Sequence, residues 1–176
     1  MKDNSKFSQK VSALLTSCNI TNPPVDIDKV AQFLKITVRK HPYKKTANLS
    51  GILLRDGEQV VIGVNADHHE HRQRFSIAHE IAHFLLHEGD RVFVDREYKI
   101  NFRDSNSSSG TTDMEEAEAN LFASLLLIPD EFIERDLSGQ EIDLSGDSKK
   151  INDLAVALSK KYNVSPAAMI LRLSSL

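Results

Sequence analysis

The feature that most constrains the fold is the stretch over residues 67–88, which is apolar on more than one side of a predicted helix. Two stripes at helical spacing run along it: Phe75, Ala78, Ala82 and Leu85 form one, and Ile77, Ile81 and Phe84 form the other. Asp67 and Glu70 have capping-box spacing, with Asp in place of Ser or Thr, and Gly89 follows the last predicted helical residue. A helix of about nineteen residues that is covered this widely must lie near the centre of the protein.

The segments on either side of this helix predict shorter helices and strands. Apolar residues at helical spacing indicate helices over residues 5–18, 26–34, 112–127, 130–136, 149–162 and 166–173. Alternating or β-branched runs indicate strands over residues 36–38, 49–54 and 59–64 and one more within 91–101, and the Asp56-Gly57 pair predicts a hairpin between the second and the third.

This order of elements predicts an α+β fold. We expect a small antiparallel sheet packed on the long helix and on a second, glutamate-bearing helix, followed by a helical C-terminal tail. We also expect one domain over residues 1–176, with a core at about 26–129 and a helical C-terminal subregion at about 130–176.

Composition and charge exclude several classes of function. The 176-residue chain has a formal net charge of -3 and no long run of Lys or Arg, so we expect no direct nucleic-acid partner. The N-terminal segment is polar and no later apolar run is long enough to cross a bilayer, so we expect a cytoplasmic protein without a membrane partner. Cys18 is the single cysteine, which excludes an internal disulfide and a thiolate zinc cage. A metal would therefore need His and carboxylate ligands.

Two histidines on the central helix have metal-ligand spacing. His79 and His83 are four residues apart, so they lie about 40° apart on one helix face and can direct two imidazole nitrogens at one point. Glu80, next to His79, can reach the attacking water instead of the metal, which is the position of a general base. The alternative is a histidine pair that is simply exposed or hydrogen-bonded in the core. Burial of this helix favours the metal site, because buried histidines need partners.

A zinc protease needs a third protein ligand, and the helix predicted over residues 112–127 offers three glutamates. Glu116 shares a face of small residues that would allow a close approach to the histidine-bearing helix. Glu115 has a sufficient role in helix capping, and Glu118 points away from that face. We therefore predict Glu116 as the third ligand.

Other polar residues near the predicted site are candidates for supporting roles. Asn120, one turn after Glu116, is predicted to hydrogen-bond a ligating imidazole and fix its tautomer, the alternative being an ordinary polar residue of a helix. His87 continues the histidine spacing by one more turn, where it could support the site or simply be favoured by the helix dipole. Peptide hydrolysis also needs a donor for the developing oxyanion, and Tyr98, Arg103 and His87 are the candidates.

Two motifs in a fixed order carry a resemblance to a known family. Residues 74–87 read RFSIAHEIAHFLLH, and residues 116–129 read EAEANLFASLLLIP. They resemble the ImmA/IrrE family of metallo-endopeptidases, of the gluzincin-like type. The resemblance implies zinc bound by His79, His83 and Glu116, with Glu80 as the catalytic base. It also implies a helix-turn-helix repressor as the protein substrate, so that the chain would act as an anti-repressor of a phage or mobile element, or in a stress or toxin–antitoxin system.

Two other functions are compatible with the same sequence. The chain could keep the metal as a non-catalytic module that binds the repressor. Residues 154–173 also look like a helix-turn-helix, which would make the chain a DNA-binding regulator. Arg172 is the only basic residue of the second predicted helix there, which favours packing or substrate docking over DNA binding.

Overall fold

A computed structural model describes residues 2–43, 49–57, 59–87, 93–96, 113–138 and 148–176. These residues contain seven helices and four strands. The helices are α1 (Lys2–Ser17), α2 (Ile27–Phe33), α3 (Glu70–Leu86), α4 (Asp113–Leu127), α5 (Asp130–Leu137), α6 (Ser148–Tyr162) and α7 (Pro166–Leu173). The strands are β1 (Ile36–His41), β2 (Leu49–Asp56), β3 (Gln59–Asn65) and β4 (Phe93–Arg96). One sheet with separate helical segments confirms the predicted α+β class.

The four strands form one sheet in the order β1-β3-β2-β4. Strand β2 pairs antiparallel with both β3 and β4. Strand β1 runs parallel to β3, with Ile36 opposite Val60 and Lys40 opposite Val64. The sheet is therefore mixed, and the expectation of an antiparallel sheet holds only for β2 and its two neighbours. The parallel pair follows from the strand order. The chain reverses direction from β1 to β2 and again from β2 to β3, so β3 runs in the same direction as β1, and the two strands are neighbours in the sheet.

The connection between β2 and β3 is the predicted tight hairpin. Asp56 lies opposite Gln59, so two residues link the paired strands. Gly57, the first of the two, has a φ of 56°, in the left-handed region that favours a residue without a Cβ. The hairpin register places Leu53 opposite Ile62, and both side chains are fully buried.

Helix α3 is the predicted central helix, with 17 residues and a later start than the sequence indicates. Its N-cap is His69, whose Nδ1 accepts a hydrogen bond from the backbone N–H of His71 at 3.2 Å, so the predicted cap at Asp67 is wrong. The Asp67 N–H instead donates to Asn65 Oδ1 at 3.0 Å, in a turn that the buried Asn65 side chain organises before the helix begins. His87 is the C-cap, with an extended backbone.

The apolar stripes of α3 form a core with the strands on which this helix packs. The fully buried side chains are Ile77, Ala78, Ile81 and Ala82 on α3, Leu53 on β2, and Ile62 and Val64 on β3. Burying each branched aliphatic side chain contributes about 1.5–3 kcal/mol relative to exposure. This packing fixes the rotation of α3 about its axis, and with it the direction of the polar residues between the stripes.

Packing divides the chain into two compact units. One is Ile27–Ala123, which holds the sheet and α3, and the other consists of Met1–Asp26 and Ser124–Leu176, which holds α1, α5, α6 and α7. The boundary falls within α4. None of the helices in the described part of the chain combines the length and the apolar character that crossing a bilayer requires.

A buried arginine stabilises the helical unit. Arg172 of α7 is 5% exposed, its Nε donates to the backbone carbonyl of Ile128 at 3.2 Å, and its guanidinium forms an ion pair with Asp130. A guanidinium held in this way is not available to a DNA groove. The residue on which the DNA-binding alternative depended therefore has a structural role.

Candidate metal centre

The two histidines of α3 converge, as their spacing predicts. His79 and His83 are 2% and 1% exposed, and their Nε2 atoms are 3.0 Å apart. Their rings meet edge to face, with centroids 4.6 Å apart. Two neutral imidazoles share at most one hydrogen bond through these atoms, since one nitrogen must donate and the other accept. The geometry is that of two nitrogens directed at a common third atom.

The third member of the cluster comes from the first turn of α4. Glu116 Oε2 lies 3.3 Å from His79 Nε2, and Glu116 Oε1 lies 3.4 Å from His83 Nε2. The three residues offer ligand atoms that all lie within 4.8 Å of one another, and they are the one such group in the described ranges. The structure therefore brings Glu116 to the histidines, and not Glu115 or Glu118, as the sequence predicts.

Burial and mutual contacts set the protonation state of the cluster. Burial lowers the pKa of His83 below its ordinary value, against the opposing hydrogen bond with Glu116. Burial alone would raise the pKa of Glu116, but hydrogen bonds with His79 and His83 outweigh it and hold that pKa well below its usual range. A neutral imidazole beside an ionised carboxylate is the state in which both can coordinate a metal.

Glu80 lies next to the cluster but on another side of α3. Its side chain is fully buried. Arg72, Ser76 and Glu80 follow one another at one-turn spacing and so share a strip of the helix. A Cβ placed on Gly51 of β2 would lie 2.8 Å from Glu80 Oε1, so this strip faces the strand. Glu80 is thus adjacent to a candidate ligand in sequence and is not one of the three residues that converge.

Arg55, near the end of β2, caps the C-terminal end of α3. Its Nη2 donates to the backbone carbonyls of His87 at 2.9 Å, Phe84 at 3.3 Å and His83 at 3.4 Å. Its guanidinium also lies over the Phe84 ring, 5.5 Å from the centroid. The last carbonyls of a helix lack partners within the helix and carry partial negative charge, so a cation is favoured there.

Neither Gly51 nor Arg55 stands out in the sequence as a site residue. Arg55 reads as part of the hairpin turn, and Gly51 reads as an ordinary break in an apolar strand. The only local signal is that each is an unusual residue type within a strand that otherwise favours burial.

His87 contacts the helix that carries Glu116. Its Nε2 lies 3.2 Å from the backbone carbonyl of Glu115, and the residue is 8% exposed. As the donor in this bond, His87 joins the end of α3 to the first turn of α4. The contact is to the backbone beside the candidate ligand and leaves the His83 and His79 nitrogens to the cluster.

Asn120 lies one turn after Glu116, as predicted, and its Oδ1 atom is buried. This atom has no hydrogen-bond partner in the part of the chain that the structure describes, so its bond to a ligating imidazole stays a prediction. Of the three oxyanion candidates, Tyr98 and Arg103 lie outside the described residues, and His87 directs its Nε2 at Glu115.

The arrangement matches the metal site of an HExxH metallopeptidase. It consists of two histidines one turn apart, a glutamate between them and an acidic residue from a second helix. The sequence model of peptidase family M78, described as the IrrE N-terminal-like domain, matches residues 31–174. The chain therefore belongs to this family, as its two motifs predict. The match contains all three members of the cluster and Glu80. No curated protein matches the chain.

Proposed function

We propose that the chain is a zinc-dependent endopeptidase that hydrolyses a peptide bond in a protein substrate. The observation that carries the proposal is the convergence of two imidazole nitrogens and one carboxylate on one point. A tetrahedral zinc site with bonds of about 2.0–2.1 Å to nitrogen and oxygen has edges of about 3.3–3.4 Å. The two Nε2 atoms are 3.0 Å apart, and each lies 3.3 or 3.4 Å from a different oxygen of the Glu116 carboxylate. One ligand atom from each residue lies within 4.8 Å of the other two, so a small side-chain adjustment brings all three to one ion. Three protein ligands leave the fourth corner for chemistry, as in catalytic zinc sites.

The residues of the site divide hydrolysis between metal binding and proton transfer. His79, His83 and Glu116 would hold Zn²⁺, and the ion, when bound, polarises a peptide carbonyl and lowers the pKa of a water molecule. Glu80 accepts the proton of the attacking water and delivers it to the amine that leaves. Because Glu80 is fully buried, bulk water does not compete for that proton.

The substrate we propose is a helix-turn-helix transcriptional repressor, which makes the chain an anti-repressor. The support is the likeness of both motifs to the ImmA/IrrE family and the match to the IrrE N-terminal-like domain. The proposal places the protein in the cytoplasm, where such a repressor acts, without direct contact to nucleic acid or membrane. The net charge of -3 and the buried position of Arg172 both support a role away from DNA.

Incubation of the purified, zinc-loaded chain with the repressor encoded beside it tests this proposal. We expect discrete fragments, mapped by mass spectrometry. Glu80→Gln should still bind zinc but should not cleave, whereas the matched control Glu118→Gln, on α4 and outside the cluster, should do both. Cleavage by Glu80→Gln would refute the assigned base, and an intact repressor after incubation with the zinc-loaded wild-type chain would refute the proposed substrate.

A reporter under control of the repressor separates proteolysis from simple binding. A non-catalytic module would relieve repression equally well with Glu80→Gln, because binding needs no general base. Proteolysis predicts that the variant fails to relieve repression while its zinc content and Tm stay close to those of the wild-type chain.

A further inference from the structure

Gly51 of β2 lies against Glu80 of α3, with no room for a side chain between them. An ideal Cβ at Gly51 would be 2.8 Å from Glu80 Oε1, 3.3 Å from Glu80 Cγ and 3.4 Å from Ser76 Cβ. Real Cβ atoms essentially never come within 3.0 Å of such an atom. The φ of Gly51 lies outside the left-handed region, so the backbone conformation does not itself require glycine. Space for Glu80 is the physical reason for a glycine here.

The Glu80 side chain cannot yield cheaply to a larger neighbour. It is fully buried, so closely packed neighbours surround its carboxylate and limit its movement. Both Cγ and Oε1 would be too close to the added methyl group, so the stem of the side chain must move as well as its end. Moving Oε1 from 2.8 Å to the 3.4 Å of ordinary contact takes a displacement of about 0.6 Å.

The strand is anchored at the same place. The register of β2 against β4 shifts between Leu49 and Gly51, which is a β-bulge, a feature often found beside functional sites. Ser50 in this bulge is 1% exposed, and its Oγ accepts a hydrogen bond from Arg72 Nη2 of α3 at 2.7 Å. Arg72 lies two turns before Glu80 on the same strip of the helix, so this bond holds β2 against the strip and limits its retreat.

We propose that the missing side chain at Gly51 positions the Glu80 carboxylate, with the bond between Ser50 and Arg72 holding the strand in place. Gly51 is a positioning residue, because it has no side chain to contact substrate or metal and acts only through Glu80. The catalytic consequence rests on the proposed endopeptidase function, whereas the steric coupling between Gly51 and Glu80 does not. A side chain at this position therefore impairs proton transfer and leaves zinc binding intact.

A double-mutant cycle in thermal unfolding tests the steric coupling. Gly51→Ala is expected to lower the Tm by about 3 °C or more when Glu80 is present, and by less than about 1 °C in a Glu80→Ala background, which lacks both close atoms. The matched control is Gly63→Ala, whose Cβ would meet Tyr43 Oη at 2.6 Å and Ile52 Cγ2 at 2.8 Å. Gly63 pairs with Ile52, the next residue after Gly51 on β2, so a side chain at Gly63 would lie on the opposite face of the sheet. The Tm loss of Gly63→Ala should therefore be the same in both backgrounds. Equal losses for Gly51→Ala in the two backgrounds would overturn the proposal.

Kinetics on the repressor encoded beside the chain test the catalytic consequence. Gly51→Ala should lower kcat by about tenfold or more at unchanged KM and zinc affinity, because a base displaced by a fraction of an ångström loses its reactive alignment. Gly63→Ala should keep its kcat. A wild-type kcat for Gly51→Ala would overturn the positioning role. If the wild-type chain cleaves nothing, the proposed function fails, and the unfolding cycle still decides whether Gly51 positions Glu80.

Discussion

Removing the Arg55 guanidinium should loosen the C-terminal end of α3, the helix that carries two of the candidate ligands. Arg55→Ala deletes the donor to the carbonyls of His87, Phe84 and His83 and the cation over the Phe84 ring. Only the bond to His87, at 2.9 Å, has ordinary length, and the bonds at 3.3 Å and 3.4 Å are weak. The turn that loses its cap includes His83, so zinc affinity should fall together with stability.

The size of the effect follows from these contacts. One charge-assisted hydrogen bond contributes about 1.5–3 kcal/mol, and a cation on an aromatic face adds about 0.5–1 kcal/mol. Arg55 and residues 84–86 are half-buried, so water can replace part of the lost bonds and the free energy of unfolding should fall by about 2–3 kcal/mol. In a chain of this length each kcal/mol corresponds to about 2–4 °C, so the Tm should fall by about 4–12 °C.

Scanning calorimetry of the metal-free protein measures this loss, and amide hydrogen exchange over residues 83–87 locates it. Arg39→Ala is the matched control, because Arg39 is exposed on β1 of the same sheet, and it should change the Tm by less than about 1 °C. Arg55→Lys should recover part of the loss, since an ammonium keeps the charge and a donor. Arg55 does not cap α3 if Arg55→Ala is as stable as Arg39→Ala, or if exchange at the end of α3 does not increase.

Three further predictions concern single residues. Glu116→Ala should abolish zinc binding, measured by metal analysis after dialysis, whereas Glu118→Ala should not; equal zinc in both would remove Glu116 from the ligand set. Lys35 has a φ of 59°, so Lys35→Gly should raise the free energy of unfolding by about 0.5–1 kcal/mol in urea titrations, and a decrease would contradict this. Burial would raise the pKa of Asp136, but hydrogen bonds from α6 lower it overall. The wild-type chain should therefore be more stable than Asp136→Asn above about pH 5, and this difference should shrink as the pH falls below the ordinary Asp pKa of about 3.9. A difference in stability that does not change with pH would contradict this.

The helices of this chain can be predicted because the sequence signals for a helix are local. The pairing of strands cannot be predicted in this way, because it depends on distant parts of the chain. Helix α7 has the predicted bounds, and Ser165 caps it by accepting a hydrogen bond from the Ala168 N–H at 3.1 Å. The start of α3 departs from prediction because Asn65, at the end of β3, organises a turn that a capping-box pattern does not include. The parallel pairing of β1 depends on which strand lies beside it, and alternation along one strand carries no information on that.

The same distinction applies to the site. His79 and His83 are predictable because one turn of helix joins them, and Glu116 is predictable because it shares a face of small residues on a second helix. Gly51 and Arg55 are not predictable, because their contacts with α3 arise only when the sheet packs on the helix. No spacing rule connects a strand residue to a helix residue across such an interface.

If the chain acts as the proposed endopeptidase, the division of the site among three elements lets metal binding and proton transfer be perturbed separately. Helices α3 and α4 supply the candidate ligands, and the bond from His87 to Glu115 joins these helices without using a ligand atom. Strand β2 meets α3 at two points, with Gly51 beside Glu80 and Arg55 at the last turn. A substitution at the first point should impair catalysis and spare the metal, because the ligands lie on another side of the helix. A substitution at Arg55 should weaken both metal binding and catalysis. The turn of α3 that loses its cap contains the candidate ligand His83 and also His87, which joins α3 to α4.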